Sequence, residues 1–126
     1  MFLAPLLRDP GASWALVNVE TGARLAARVH AAVDSASRRR GLLGRTGLDD
    51  EALIIAPCNA VHTFFMRFPI DVLITDRNGV VRRGVPDVRP WRLTGAWTGF
   101  ATVELPAGTI ARTGTRRGQR VELRVV

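Results

Sequence analysis

The side chains able to do chemistry crowd into one stretch. Between Pro57 and Asp76 the chain places its only cysteine, one of its two histidines, three of its five phenylalanines and an aspartate soon after a proline. Three chemistries could come from this set. Cys58, His62 and Met66 are ligand types for a soft metal. Pro57, Pro69 and the β-branched neighbours favour an extended chain, in which four residues span about 13 Å. A metal needs bonds of roughly 2 Å, so neither a metal nor another cofactor is expected. Cys58 as a nucleophile, with His62 or His30 as base, would need a thiolate-stabilising environment and an orienting third group. An inert, buried cysteine is the plainer reading.

The third possibility is Arg67 with Asp71, which share one parity of an extended run. Asp71 interrupts an otherwise apolar strand, and a buried carboxylate must find partners. Glu104 intrudes into a second apolar run in the same way. Both acids read first as structural, accepting backbone N–H groups or arginines. The functional version is a shallow pocket rimmed by His62, Arg67, Asp71 and Trp91. Such a pocket would hold a small polar ligand or a peptide end.

The elements around these residues follow from local pattern. Phe64, Phe65, Met66 and Phe68 supply apolar bulk. Pro69 fixes its own φ and keeps Phe68 out of the helical region. Ile70 to Ile74 is the pattern of a strand buried on both faces. Asn78-Gly79 then predicts a tight hairpin turn into Val80-Val81. Two extended runs meeting at a corner are therefore expected, with His62, Arg67 and Asp71 at the entry.

Residues 1–12 read as a loose arm, punctuated by Pro5, Pro10 and Gly11. Trp14 to Glu20 and Ala23 to Val33 read as a first hairpin, with His30 a satisfied, partly exposed residue. Asp34 or Ser35 can cap a short helix to Leu42-Leu43. Arg38-Arg39-Arg40 with Arg45 is the densest charge, either a solvated face or an anion site near a helix start. Asp49, Asp50 and Glu51 read as a solvated acidic loop without the alternation of a calcium site. Ala52 to Ala56 is a short buried strand. Val85 to Trp91 reads as an irregular connection, and Thr94 to Gly99 as a mobile loop between Trp91 and Trp97. Phe100 to Leu105 is a strand, Pro106 suits the start of a short helix to about Thr113-Gly114, and Arg120 to Val126 closes as a strand.

The length of 126 residues fits one domain with a real core. A hydrophobic content of 47% with regular turn signals argues against disorder. Net charge is +7, and all 18 basic residues are arginine. That balance fits an ordinary basic surface or attraction to nucleic acid, acidic lipid or an acidic partner. The arginine run at 38–40 has no interleaved aromatic residue, which weakens the case for single-stranded nucleic acid there. One cysteine excludes an internal disulfide framework. No apolar run approaches a membrane span, and Met1 to Arg8 lacks the basic n-region of a signal peptide. A cytoplasmic location is the expectation.

Several motifs now stand in order: Arg40-Gly41-Leu42-Leu43-Gly44-Arg45, then His62 through Asp71, then Asp76 with Asn78-Gly79-Val80-Val81, then Glu104 through Gly108 followed by Gly114 and Gly118. Together, over residues 38–122, they resemble the uncharacterised family named domain of unknown function 192. The family is typically written with Trp-Met-Lys-Asn-Thr before its Leu-Asp, where this chain has Phe65-Met66-Arg67-Phe68-Pro69 before Ile70-Asp71. It also commonly ends on Gly-Asp, where Gly118-Gln119 stands here. The resemblance implies a small, strand-rich α+β domain, barrel-like, with several antiparallel hairpins and one or two short helices. It implies no established activity.

Function is therefore read from the residues. A binding or accessory module, taking a small polar ligand or a protein partner on the His62–Asp71 segment, leads. A hydrolytic enzyme using His62 with Asp71 or Glu104 is the alternative, since such pairs can do acid–base work. An arginine-mediated binder of nucleic acid or an anionic surface is the third, recognisable by steep salt dependence.

Overall fold

The structure, a computed structural model, describes residues 1–34, 37, 42 and 44–126. Its strands are β1 (Trp14–Asn18), β2 (Arg24–Ala26), β3 (Arg28–Ala32), β4 (Glu51–Ile55), β5 (Ala60–His62), β6 (Ile70–Thr75), β7 (Val81–Val88), β8 (Leu93–Gly95), β9 (Ala101–Pro106) and β10 (Val121–Val125). Among the described residues two short helices, α1 (Ala4–Arg8) and α2 (Thr109–Thr113), join them. The result is a mixed α+β fold.

Burial on both faces makes β6 an interior strand: all six of its residues are buried. It pairs antiparallel with β9 on one side and β7 on the other, in a five-stranded sheet of order β3-β4-β9-β6-β7. The β3–β4 pair is parallel. A three-stranded sheet β10-β1-β2 and a two-stranded sheet β5-β8 stand apart. The barrel-like expectation is corrected accordingly, because among the described residues the strands form three sheets and no closed barrel.

Alternation along the strands sends side chains to opposite faces. Leu73, Val103 and Leu105 join the larger apolar cluster with Leu16, Leu25 and Val121. Ile70, Val72 and Ile74 join a smaller one with Met66 and Val88. Glu104 lies opposite Val72 and Leu53 in register, both of which belong to the smaller cluster.

Several expectations give way to local physics. Residues 1–12 are not a loose arm: Pro5 stands in the first turn of α1, where its missing N–H costs nothing. Phe2, Leu3 and Leu6 then bury against the larger cluster. The run from Ala23 to Val33 is two strands. At Ala27 the chain leaves β1 and turns to β4, with Ala27 N–H donating to the Asp50 carbonyl at 3.0 Å. Glu51 begins β4 rather than sitting in an exposed loop. Asp34 Oδ1 does accept the Ser37 N–H at 2.8 Å, as a capping residue should. Residues 35, 36, 38–41 and 43 of that expected helix, Arg38-Arg39-Arg40 among them, lie outside the described residues.

The β6–β7 turn carries one residue more than the expected two-residue loop. Gly79, at φ 82°, is the left-handed residue. Gly79 N–H bonds the Asp76 carbonyl at 3.2 Å and Asp76 N–H bonds Val80 O at 3.0 Å. That is a turn closed by a glycine bulge. Asp76 Oδ1 accepts the N–H groups of Asn78 and Val80 at 2.8 and 3.0 Å.

Val85 to Val88 continues β7 instead of forming an irregular connection. Pro86 is tolerated because β7 is the sheet's edge strand. Ile70 pairs with Val88 and Val72 with Val85, so Asp71 opposes both Pro86 and Asp87 in a bulge. Thr94 likewise belongs to a strand, β8. Pro106 ends β9; α2 starts after it, between Gly108 at φ 94° and Gly114 at φ 66°.

Candidate functional site

Two loops carry the exposed chemistry, and one buried threonine joins them. Thr63, fully buried, follows β5. Its N–H donates to the Arg92 carbonyl at 2.8 Å, and its carbonyl accepts the N–H groups of Met66 at 3.2 Å and Trp91 at 3.0 Å. Its hydroxyl donates to the Arg89 carbonyl at 2.6 Å and accepts the Arg92 N–H at 2.9 Å. The loop 63–69 is thus stapled to the loop 89–92 by hydrogen bonds through one residue.

The staple holds aromatic rings outward. Phe65 and Trp91 sit at φ 65° and 69°, a region that bulky residues rarely adopt. Their rings are 4.6 Å apart. Phe64 stacks on Trp91 at 5.9 Å and on His62 at 4.8 Å. His62 Nδ1 accepts the Phe64 N–H at 3.3 Å, which orients the imidazole. Phe65 is 71% exposed and Trp91 56%. Leu93, at the start of β8, extends the apolar surface. Met66 and Phe68 turn the other way into the smaller cluster.

Of the four residues expected to rim a pocket, His62 and Trp91 come together, through Phe64. Arg67 is exposed in the same loop and, among the described residues, has no hydrogen-bond or ion-pair partner. Asp71 stands elsewhere. It is fully buried, with Oδ1 accepting the Asp87 N–H at 2.9 Å and Oδ2 the Ile110 N–H at 2.8 Å. It ties the β7 bulge and the start of α2 to β6. Trp97 also stands apart from Trp91, in an arginine-lined groove. Phe64 and Phe65, expected as apolar bulk, are both exposed and both meet Trp91, because the left-handed backbone at Phe65 breaks the alternation of an extended run. Thr63 carried no signal in the sequence.

The other candidate groups are accounted for individually. Among the described residues, no hydrogen bond joins His62 to Asp71 or Glu104. Cys58 donates its thiol to the Ala60 carbonyl at 2.8 Å. Among the described residues no three His, Cys, Asp or Glu side chains are placed to share a metal ion. Glu51 is the hub of a separate cluster, with His30 and Arg45 each at 2.9 Å and Arg28 at 3.8 Å. Burial pushes its carboxyl up, but the Arg45 bond and charge, with His30, outweigh burial and hold it below the ordinary value. Glu104 is the opposite case. It is 2% exposed, its Oε2 has no partner, and burial pushes it up to about 7.

Comparison with known proteins places the chain. The DUF192 family model, described as "Uncharacterized ACR", matches residues 17–123. No curated protein matches it. Two crystal structures share the fold. A proposed transcription regulator from Sinorhizobium meliloti 1021 has a TM-score of 0.76 at 23% identity, covering 88% of this chain and 92% of that one. A protein of unknown function from Novosphingobium aromaticivorans DSM 12444 has a TM-score of 0.74 at 24% identity, covering 87% and 83%. The chain belongs to the DUF192 family.

Proposed function

We propose that this DUF192 domain is a binding module whose working surface is the His62–Phe64–Trp91–Phe65 face. The occupant is a peptide segment of a partner protein, carrying an apolar side chain beside acidic ones. One observation carries the reading: exposed rings in mutual contact, two of them on left-handed backbone, are held outward by a buried hydrogen-bonded staple. Backbone strain of this kind persists only where the surroundings over-determine it, and it collects at binding sites. Trp and Arg dominate recognition hot spots, and Arg67, Arg89 and Arg92 are all exposed in the two loops. The rings supply apolar area, and the arginines supply the preference for acidic neighbours.

Panning a random peptide library on the protein tests this. Enriched sequences should combine aromatic or aliphatic residues with Asp or Glu. A selected peptide should shift the NMR signals of residues 62–67 and 89–93. Trp91→Ala should weaken it at least tenfold, the scale of a hot-spot residue. Selected peptides that bind Trp91→Ala as tightly as the parent protein would refute the reading.

A further inference from the structure

A second surface lies away from the aromatic face. Arg82 and Arg83 at the start of β7, Trp97 and Thr98 in the β8–β9 turn, and Arg116 and Arg117 after α2 line one open groove of about 630 Å³. Among the described residues no carboxylate lines it. Trp97 is 97% exposed, so its indole presents whole faces to solvent. Arg83 Nη1 donates to the Gly95 carbonyl at 2.8 Å, which fixes one guanidinium beside the strand that leads to Trp97. Arg82 is held by Asp76 at 2.9 Å. Arg116 and Arg117 are exposed and, among the described residues, make no ion pair.

We propose that this groove binds single-stranded nucleic acid, with a base stacked on Trp97 and the phosphates tracked by Arg82, Arg83, Arg116 and Arg117. A positively charged groove with an aromatic platform is the recurring form of sequence-tolerant single-strand binding, because every base has a π-face. A peptide of acidic residues alone would meet the same charge but leave the indole unused. A flat anionic membrane would reach the arginines on the rims but not a concave floor. The aromatic residue missing from the Arg38–Arg40 run is present here.

Fluorescence anisotropy of a labelled oligouridine of about fifteen nucleotides, long enough for one such site, tests the proposal on the whole chain. Binding should weaken linearly in log salt, with a slope of about −0.7 per phosphate neutralised. Trp97→Ala should weaken binding at least fivefold, the low end for loss of one stacked base. Replacing Arg116 and Arg117 by Gln should flatten the slope by about 1.4. Trp91→Ala should change nothing, which separates this groove from the peptide face. Trp97 touches too little to threaten the fold, and circular dichroism checks that. The proposal is overturned if the oligouridine does not bind at low salt, or if Trp97→Ala binds it as well as the parent. It is equally overturned if polyglutamate, or vesicles containing phosphatidylserine, bind as tightly with the same sensitivity to Trp97→Ala.

Discussion

Glu104→Gln should convert a pH-dependent stability into a flatter one, and the sign is set by burial. The folded carboxyl titrates at about 7 against an ordinary 4.5, because burial penalises the charged form and Oε2 finds no donor. Below pH 4.5 the group is protonated in both states, and Glu104 itself costs no stability there. As pH rises, the unfolded chain releases the proton while the folded chain keeps it, so stability falls until about pH 7 and is level above. Each pH unit in that window costs about 1.4 kcal/mol, or roughly 3 kcal/mol across it. Glutamine carries no titration. Urea midpoints of both proteins, measured from pH 4 to 8, should therefore diverge in favour of the variant as pH rises. Any packing cost of the amide is common to all pH values and does not alter the slope. Parallel profiles would refute the reasoning, as would a carboxyl carbon signal of Glu104 titrating near 4.5.

Asp71→Ala should lose roughly 2–6 kcal/mol in urea unfolding, since it leaves the N–H groups of Asp87 and Ile110 unpaired at about 1–3 kcal/mol each. Asp71→Asn, which keeps one acceptor, should lose about half; a variant melting like the parent would sink this account. Gly79→Val should lose about 2 kcal/mol or more by thermal melting, because φ is 82° and a Cβ would strike the Val121 carbonyl and press on Phe2. An unchanged melting temperature would mean the turn is not built as described.

Strands marked by alternation or by a short buried apolar run were legible. β1, β4, β6, β9 and β10 fall where the pattern puts them, and Gly79 takes the left-handed position that Asn-Gly implied. Elements that tolerate a breaker were not. Pro5 starts a helix instead of ending order, and Pro86 lies inside an edge strand. The Ala23–Val33 run contains no residue that marks its division. Asp50, 23 residues away, receives the single Ala27 N–H on both its carbonyl and its carboxylate and redirects the chain. The site was half legible for the same reason. His62 and Trp91 are chemically conspicuous. What brings them together is Thr63, a common residue whose partners lie 26 and 29 positions on.

Asp71 and Glu104 show why residue type alone could not assign roles. Both are acids in apolar runs of adjacent, paired strands, and both are buried. Asp71 meets a bulge and a helix start, the two places where backbone N–H groups are left over. Its donors come from 16 and 39 residues away. Glu104, opposite Val72 and Leu53 in register, meets neither. One acid therefore stabilises the junction of β6, β7 and α2, while the other destabilises the sheet once ionised. The same junction bears on the two proposed surfaces. β7 begins at the arginine groove, and past the bulge that Asp71 holds it leads into the loop that Thr63 fastens beneath Trp91. The chain then returns through β8 to Trp97. One segment, residues 82–97, thus contributes to both surfaces, yet each is anchored by different bonds. That separation is why Trp91 and Trp97 can be tested independently.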